Sequence, residues 1–312
     1  MKKSIGYIVA LGVICLTLTK VSAQERYFDE RYIYSQAFLS PVLINPAAAG
    51  FEGNHNILLN YRNTWSSFDG SPKTVTVAYD GKLIDRVGIG ALLMQDNYGS
   101  LRTSKAQLSF TYGITSTKND VRFGLSTEFI QHGLNNRDAD DAIFDPNDLT
   151  VLARRNGIQF FDVSVGAYGV YDGKFTYGLA LPSLISSRLT SGSSSSINRE
   201  LGFIFQAGYR LDEIGNGINL EPSIIFKKLN GVPTHVDLNL KASFLDDKFT
   251  GGLSYTVGGD KRLGFLLGFK IETVKLYYTY NVSTQQFQDY NNGAHEFSLK
   301  FSFGKSRLDS NL

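Results

Sequence analysis

Four histidines, His55, His132, His235 and His295, are the side chains of this 312-residue chain whose unperturbed titration lies near neutral pH. Of these only His132 stands near a cluster of acids. The segment RDADDAIFDPND supplies Asp138, Asp140, Asp141, Asp145 and Asp148 a few residues further on. A histidine beside carboxylates is an acid–base pair that a hydrolase at a rim would use. The same carboxylates are hard oxygen ligands suited to calcium. Neither chemistry is completed by the sequence. No serine or second histidine is tied to His132, and the segment lacks the central glycine and distal glutamate of an EF-hand loop. Loop 138–148 therefore reads as a solvated surface loop, and no catalytic residue, metal or cofactor is expected. Gly88-Ile89-Gly90 has no helix after it and is no nucleotide loop. Asn45-Pro46-Ala47, in one copy, makes no water channel, and SGSSSS at 191–196 reads as linker.

A second chemical set is spread along the chain. Arg62, Arg122, Lys174, Arg210, Lys227, Lys241, Lys270, Lys275 and Lys300 fall on alternate positions with Glu128, Asp162, Glu221 and Asp237, and the cations outnumber the acids. Gathered on one surface, they could pair with one another across a filled interior. They could instead receive an acidic or polar segment of a partner protein. On the second reading Arg62, Arg122, Arg210, Lys241 and Lys270 are the candidate partner contacts.

The elements that place these charges are strands. In NILLNYRNTWSSFDGSPKTVTVAYD, residues 56–80, Ile57, Leu59, Tyr61 and Trp65 alternate with Asn60, Arg62 and Thr64. After a turn on Asp69, Gly70 and Pro72, Val75, Val77 and Tyr79 alternate with Thr74, Thr76 and Asp80. About fourteen such period-two segments follow one another to Phe303, the pattern of an even-stranded membrane barrel. A two-sheet sandwich has too thin a core for so many Phe and Tyr on one face. An arginine or lysine turned to lipid at mid-membrane costs ~2–4 kcal/mol, so a barrel keeps its charges on one parity. These segments do, which directs the apolar face to lipid and the charged face to the lumen. The fold class expected is all-β, a transmembrane antiparallel β-barrel of about fourteen strands.

The N-terminus adds a compartment. Lys2 and Lys3, an apolar run from Ile5 to Leu18, and Val21-Ser22-Ala23 have the three parts of a secretory signal peptide, predicting cleavage after Ala23. Its loss removes three lysines and no acid, taking the formal charge from +2 to −1. That balance excludes a basic nucleic-acid binder. Cys15, the one cysteine, leaves with it, so the mature chain has no thiol chemistry. Short links, expected on the periplasmic side, alternate with mostly longer ones such as Asn97–Ser104, His132–Gln159 and Pro182–Glu200. An even count places both chain ends in the periplasm. The expected organisation is a signal peptide at 1–23, a periplasmic N-terminal segment at 24–55, a barrel at 56–304 and a tail at 305–312. Pro41 and Pro46 deny residues 24–55 a long helix, and the segment is expected to pack under or inside the barrel.

Three stretches resemble the PorP/SprF family of type IX secretion system outer-membrane proteins. They are Tyr34-Ser35-Gln36 with Pro41 and Leu43-Ile44-Asn45-Pro46-Ala47 before Gly50; Tyr61-Arg62-Asn63-Thr64-Trp65 with Phe68-Asp69-Gly70-Ser71-Pro72-Lys73-Thr74; and Val87-Gly88-Ile89-Gly90 leading to Asp96-Asn97-Tyr98-Gly99. Ala48 departs from the aromatic often found there. The specific likeness covers residues 34–99. It implies a non-enzymatic outer-membrane barrel that supports secretion or surface anchoring of a partner, such as a gliding-type adhesin with a C-terminal secretion domain. It also implies contact with periplasmic secretion or peptidoglycan-anchoring components. The competing readings are a passive porin or hydrophobic-solute channel and, third, a rim hydrolase dependent on His132.

Overall fold

The computed structural model describes residues 30–134, 157–185, 187–189, 201–212, 217–259, 261–284 and 292–304. The strands are β1 (His55–Asn63), β2 (Lys73–Ile84), β3 (Val87–Tyr98), β4 (Leu101–Thr115), β5 (Asn119–Leu134), β6 (Ile158–Tyr171), β7 (Phe175–Leu181), β8 (Ser187–Arg188), β9 (Phe203–Tyr209), β10 (Asn219–Lys228), β11 (His235–Phe244), β12 (Phe249–Val257), β13 (Arg262–Ile271), β14 (Val274–Ser283) and β15 (Ala294–Phe303). Each pairs antiparallel with its neighbours in the chain, except that β8 is a two-residue strand appended to β6, and β7 runs on to β9. Pairing of β1 with β15 and of β5 with β6 closes the other fourteen into an up-and-down barrel with no free edge.

Alternation sets the two faces. Along β4, Leu108 and Phe110 are 66% and 53% exposed, while Ser109 and Thr111, each one position on, are buried. The same period holds around the ring, with Phe265, Leu267 and Phe269 outward and Gly264 and Leu266 inward on β13. With no water in hydrocarbon to satisfy backbone groups, only a closed ladder can stand there. Tyrosine and histidine pair toward the strand ends, where His55 Nδ1 lies 2.9 Å from the Tyr79 hydroxyl and His295 Nδ1 2.8 Å from that of Tyr278. Such side chains keep a polar tip in the wet interface and a ring in the apolar layer.

Turn chemistry follows the hairpins. Asp172 and Gly173 both hold positive φ, 52° and 68°, as a tight hairpin turn requires. At the opposite end, the link 97–104 is shorter than the sequence suggests. The ladder runs on through Asn97↔Arg102 to Tyr98↔Leu101, so the loop shrinks to Gly99-Ser100. Polar side chains hid that extension, since Arg102 Nε donates to Asn97 Oδ1 at 3.3 Å and carries no apolar alternation. Trp65 lies beyond β1 rather than on it. Its φ is 54° and its ring meets Tyr98 edge-on at 5.9 Å.

Residues 30–54 run inside the barrel as three short 3-10 turns, Glu30–Tyr32, Pro41–Leu43 and Pro46–Ala48. Pro41 and Pro46 open the last two, where a missing N–H is harmless. Tyr32, Tyr34, Leu43 and Ile44 pack on Leu58, Leu92, Met94, Ile204 and Ile225 of the wall. The lumen thus contains an apolar core of its own, and the inward-facing Leu58, Leu92, Met94, Ile204 and Ile225 that complete it are the part the alternation of charges does not single out.

Candidate functional site

The lumen is the concave, chemistry-bearing part of the molecule, and two buried glutamates organise it. Glu128 on β5 is 1% exposed. It accepts the Tyr32 hydroxyl at 2.8 and 3.0 Å and the Ser164 hydroxyl at 2.8 Å, with Arg31 Nη1 at 3.6 Å and Lys105 Nζ at 3.7 Å. Glu296 on β15 accepts the Ser35 and Gln36 backbone N–H groups at 2.8 and 3.3 Å and Asn60 Nδ2 at 2.9 Å. Its own carbonyl and Thr279 receive the Gln36 amide at 3.0 Å each. Tyr34 hydrogen-bonds Thr76 at 2.9 Å, and burial pushes its phenol up to about 12. It stays neutral at any working pH. The Tyr-Ser-Gln run is therefore a latch: each residue has its own polar receptor on the wall. Burying polar groups without partners would cost several kcal/mol, roughly 2–7 kcal/mol each.

Further along, the segment needs close approach more than charge. A Cβ on Gly124 of β5 would stand 2.5 Å from the Ala47 backbone, and one on Gly88 of β3 the same distance from the Ala49 carbonyl. Asn45 caps its turn by accepting from Ala47 N–H at 3.0 Å and donates to the Ala167 carbonyl at 3.0 Å. Gly50 N–H reaches Asp80 at 3.1 Å.

The five sequence-predicted contacts separate into two groups. Arg62 and Arg122, both buried, face this segment. Arg62 donates to the Ile33 carbonyl and to Thr74 Oγ1, and Arg122 lies over the Phe51 ring at 5.9 Å. Arg210, Lys241 and Lys270 lie toward the end of the short turns, the periplasmic end by the habit of such barrels. Arg210 follows the last residue of β9 and bonds Asp212 at 2.6 Å, with Lys174 3.8 Å from the same carboxylate. Lys241 pairs with Glu221 at 2.6 Å, and Lys270 is half-buried on β13. Lys300 reaches Glu52, from the inner segment, at 2.7 Å. Burial alone would raise the Glu52 carboxyl, but Lys300 and then Lys275 outweigh it and hold it below the usual carboxylate range. A cavity of about 40 Å3 lies beside this pair, against Ser40, Phe51, Asp80 and Tyr168, room for little more than a water.

Sequence tallying missed the acids that matter most. Glu52, Asp80, Asp96 and Glu296 all face the interior or its mouth and offset much of the apparent cationic surplus. Glu296 had a signal, being of the same parity as Lys300 in the last strand. Glu52 had none, since it lies outside the alternation. His132 meets Thr103 at 3.0 Å and the Phe160 ring edge-on; loop 138–148 lies outside the described residues. Among the described residues no group of three acids, histidines or cysteines could hold a metal ion.

The closed barrel resembles solved outer-membrane proteins at low identity. The Ralstonia pickettii toluene transporter TbuX superposes with a TM-score of 0.50 and 11% identity over 90% of this chain and 96% of its own. Acinetobacter baumannii Omp33 gives 0.47 and 11% over 81% and 100%. Among curated proteins none matches in sequence. The family model described as type IX secretion system membrane protein PorP/SprF matches residues 28–301, which takes in the inner segment and nearly all of the barrel, and the chain belongs to that family.

Proposed function

We propose that this barrel is a sealed docking component of type IX secretion, supporting secretion or surface anchoring of a partner such as a gliding-type adhesin, and is not a solute channel. The observation that carries the reading is the latch of residues 31–36 on Glu128 and Glu296. A channel must leave its lumen wet, whereas here Thr76, Glu128, Asp162 and Glu296 are at most 1% exposed. Arg62 and Arg122 serve to hold the inner segment. Lys241, Lys270 and Arg210, at the short-turn mouth, are the contacts open to a partner or to periplasmic components of the machine.

Planar-bilayer recording and cargo retention test this together. The purified barrel is expected to be closed, and cells lacking it are expected to release the anchored protein into the medium. Steady conductance of the intact protein with normal retention in its absence would establish the porin reading instead.

A further inference from the structure

Register sets Lys270 of β13 directly opposite Lys275 of β14, and Lys275 directly opposite Lys300 of β15. All three are on the lumen parity, between lipid-facing neighbours such as Phe269, Leu276 and Phe301. Like charges directly across a strand pair are destabilising. Lys241 adds a fourth cation near enough to repel Lys275, and Glu52 is the acid that attracts it. Glu52 is bonded to Lys300, at 2.7 Å. Neither Lys270 nor Lys275 has a carboxylate partner among the described residues, and both are half-buried, in reach of lumen water. The Glu52 side chain keeps 45% of its surface open, at the short-turn end of the barrel where the inner segment passes into β1.

Glu52 is thus a carboxylate already seated at one end of a three-lysine row, with two places empty of acid. Strands lie about 4.8 Å apart, so the row is about 10 Å long, and acidic side chains two apart on an extended chain, about 7 Å, can engage neighbouring lysines. A compact polyanion fits less well, because Glu221 on Lys241 and Glu52 on Lys300 flank the free positions. Lipid headgroups are excluded by the inward parity.

We propose that Lys270 and Lys275, with Lys241 beside them, bind an acidic peptide segment entering from the short-turn mouth, and that this segment competes with Glu52 for Lys300. Docking thereby loosens the end of the inner segment that Glu52 tethers. Only the identity of the segment's owner rests on the docking function proposed above; the binding itself does not.

The test uses the full barrel in nanodiscs and fluorescein-labelled hexaglutamate, read by fluorescence anisotropy. Hexaglutamate is expected to bind and hexaglutamine not. Lys270→Gln with Lys275→Gln should weaken binding by 10-fold or more, whereas Glu52→Gln should tighten it several-fold by freeing Lys300. Barrel assembly is checked by heat-modifiable mobility in gels. Should the lysine variant fail to assemble, the Glu52→Gln gain decides alone. Equal binding of the two peptides, indifference to the variants, or displacement by inorganic triphosphate at the peptide's own concentration overturns the proposal. Peptide binding that follows these rules, in a barrel whose loss leaves cargo anchored, would remove the docking reading and leave this site standing.

Discussion

Two stretches of the same lumen wall are built by opposite rules. On β1–β6 and β15 the wall meets the inner segment, and its polar groups are almost wholly buried: Asn60, Thr76, Thr111, Ser126, Glu128 and Glu296 are 2% exposed or less. Glycines stand where backbone must approach backbone, at Gly88 and Gly124. On β10–β14 nothing from the inner segment, among the described residues, covers the short-turn half, and Glu221, Lys241, Lys270, Lys275 and Tyr277 stay half-buried. The first wall is a protein core that happens to be polar; the second is a surface that happens to be concave. Charge on the first is mostly gathered into close pairs and hydrogen bonds, as around Glu128 and Glu296, and charge on the second is left in surplus. The first should therefore govern stability and closure, and the second should govern binding.

The sharpest way to break that contrast is to remove Glu128. Glu128→Leu strands Lys105 and Arg31, both well buried, without their carboxylate. Breaking a buried pair from one side costs about 3–5 kcal/mol. The denaturation midpoint of the detergent-solubilised barrel, read by the one tryptophan, Trp65, should fall accordingly. Adding Lys105→Met should return part of the loss, since the orphaned cation goes too. A loss no larger than that of Lys241→Gln would end the distinction between the walls.

Gly124→Val comes next. Its side chain has to displace the Ala47 backbone, 2.5 Å from the new Cβ, which a packed interior resists at about 1–3 kcal/mol. The segment is expected to shift and the barrel to show channel events in planar bilayers that the parent lacks. Silent bilayers with an unchanged denaturation midpoint would mean the segment does not seal the lumen there.

How much of this could be read from the chain depends on what kind of signal each part leaves. The lipid-facing stripe is legible because hydrocarbon penalises every charge, so Leu108, Phe110 and Tyr112 repeat without exception. Strand ends are less so: Asn97 and Arg102 extend a ladder above the membrane, where polar residues serve as well as apolar ones. The inner segment leaves almost no periodic trace, because each of its contacts is private. Tyr32 to Glu128 spans 96 residues and Ser35 to Glu296 spans 261. The motif-like runs Tyr34-Ser35-Gln36 and Asn45-Pro46-Ala47 stand out in the sequence, yet nothing in it names their receptors. Counting cations against acids erred for the same reason, since the decisive acid at the mouth, Glu52, belongs to no strand.

Proton concentration sharpens the contrast at its border. Glu52 is held below the ordinary carboxylate range, so its folded form is favoured by the ionised state. That stabilisation is complete above the unfolded value of about 4.3 and is lost as the pH falls through the lower folded value. Hydrogen exchange of residues 50–54 is therefore expected to quicken in acid below about pH 4 relative to the intrinsic rate, and to lose that dependence in Glu52→Gln. The Ser35 and Gln36 amides, latched on the covered wall, should change less over the same range.

The smallest effect belongs to the open wall. Lys241 and Glu221 make a short pair at 2.6 Å, but their side chains are 21% and 32% exposed. Water screens such a pair, and its loss costs about 0.2–1 kcal/mol. Lys241→Gln should leave the denaturation midpoint nearly where it was while weakening hexaglutamate by a few-fold, less than the Lys270/Lys275 double variant because Lys241 already holds an acid. A variant that is stable and binding-impaired is what a surface gives. A variant that unfolds the barrel instead would place Lys241 in the core, and the two walls would then be one.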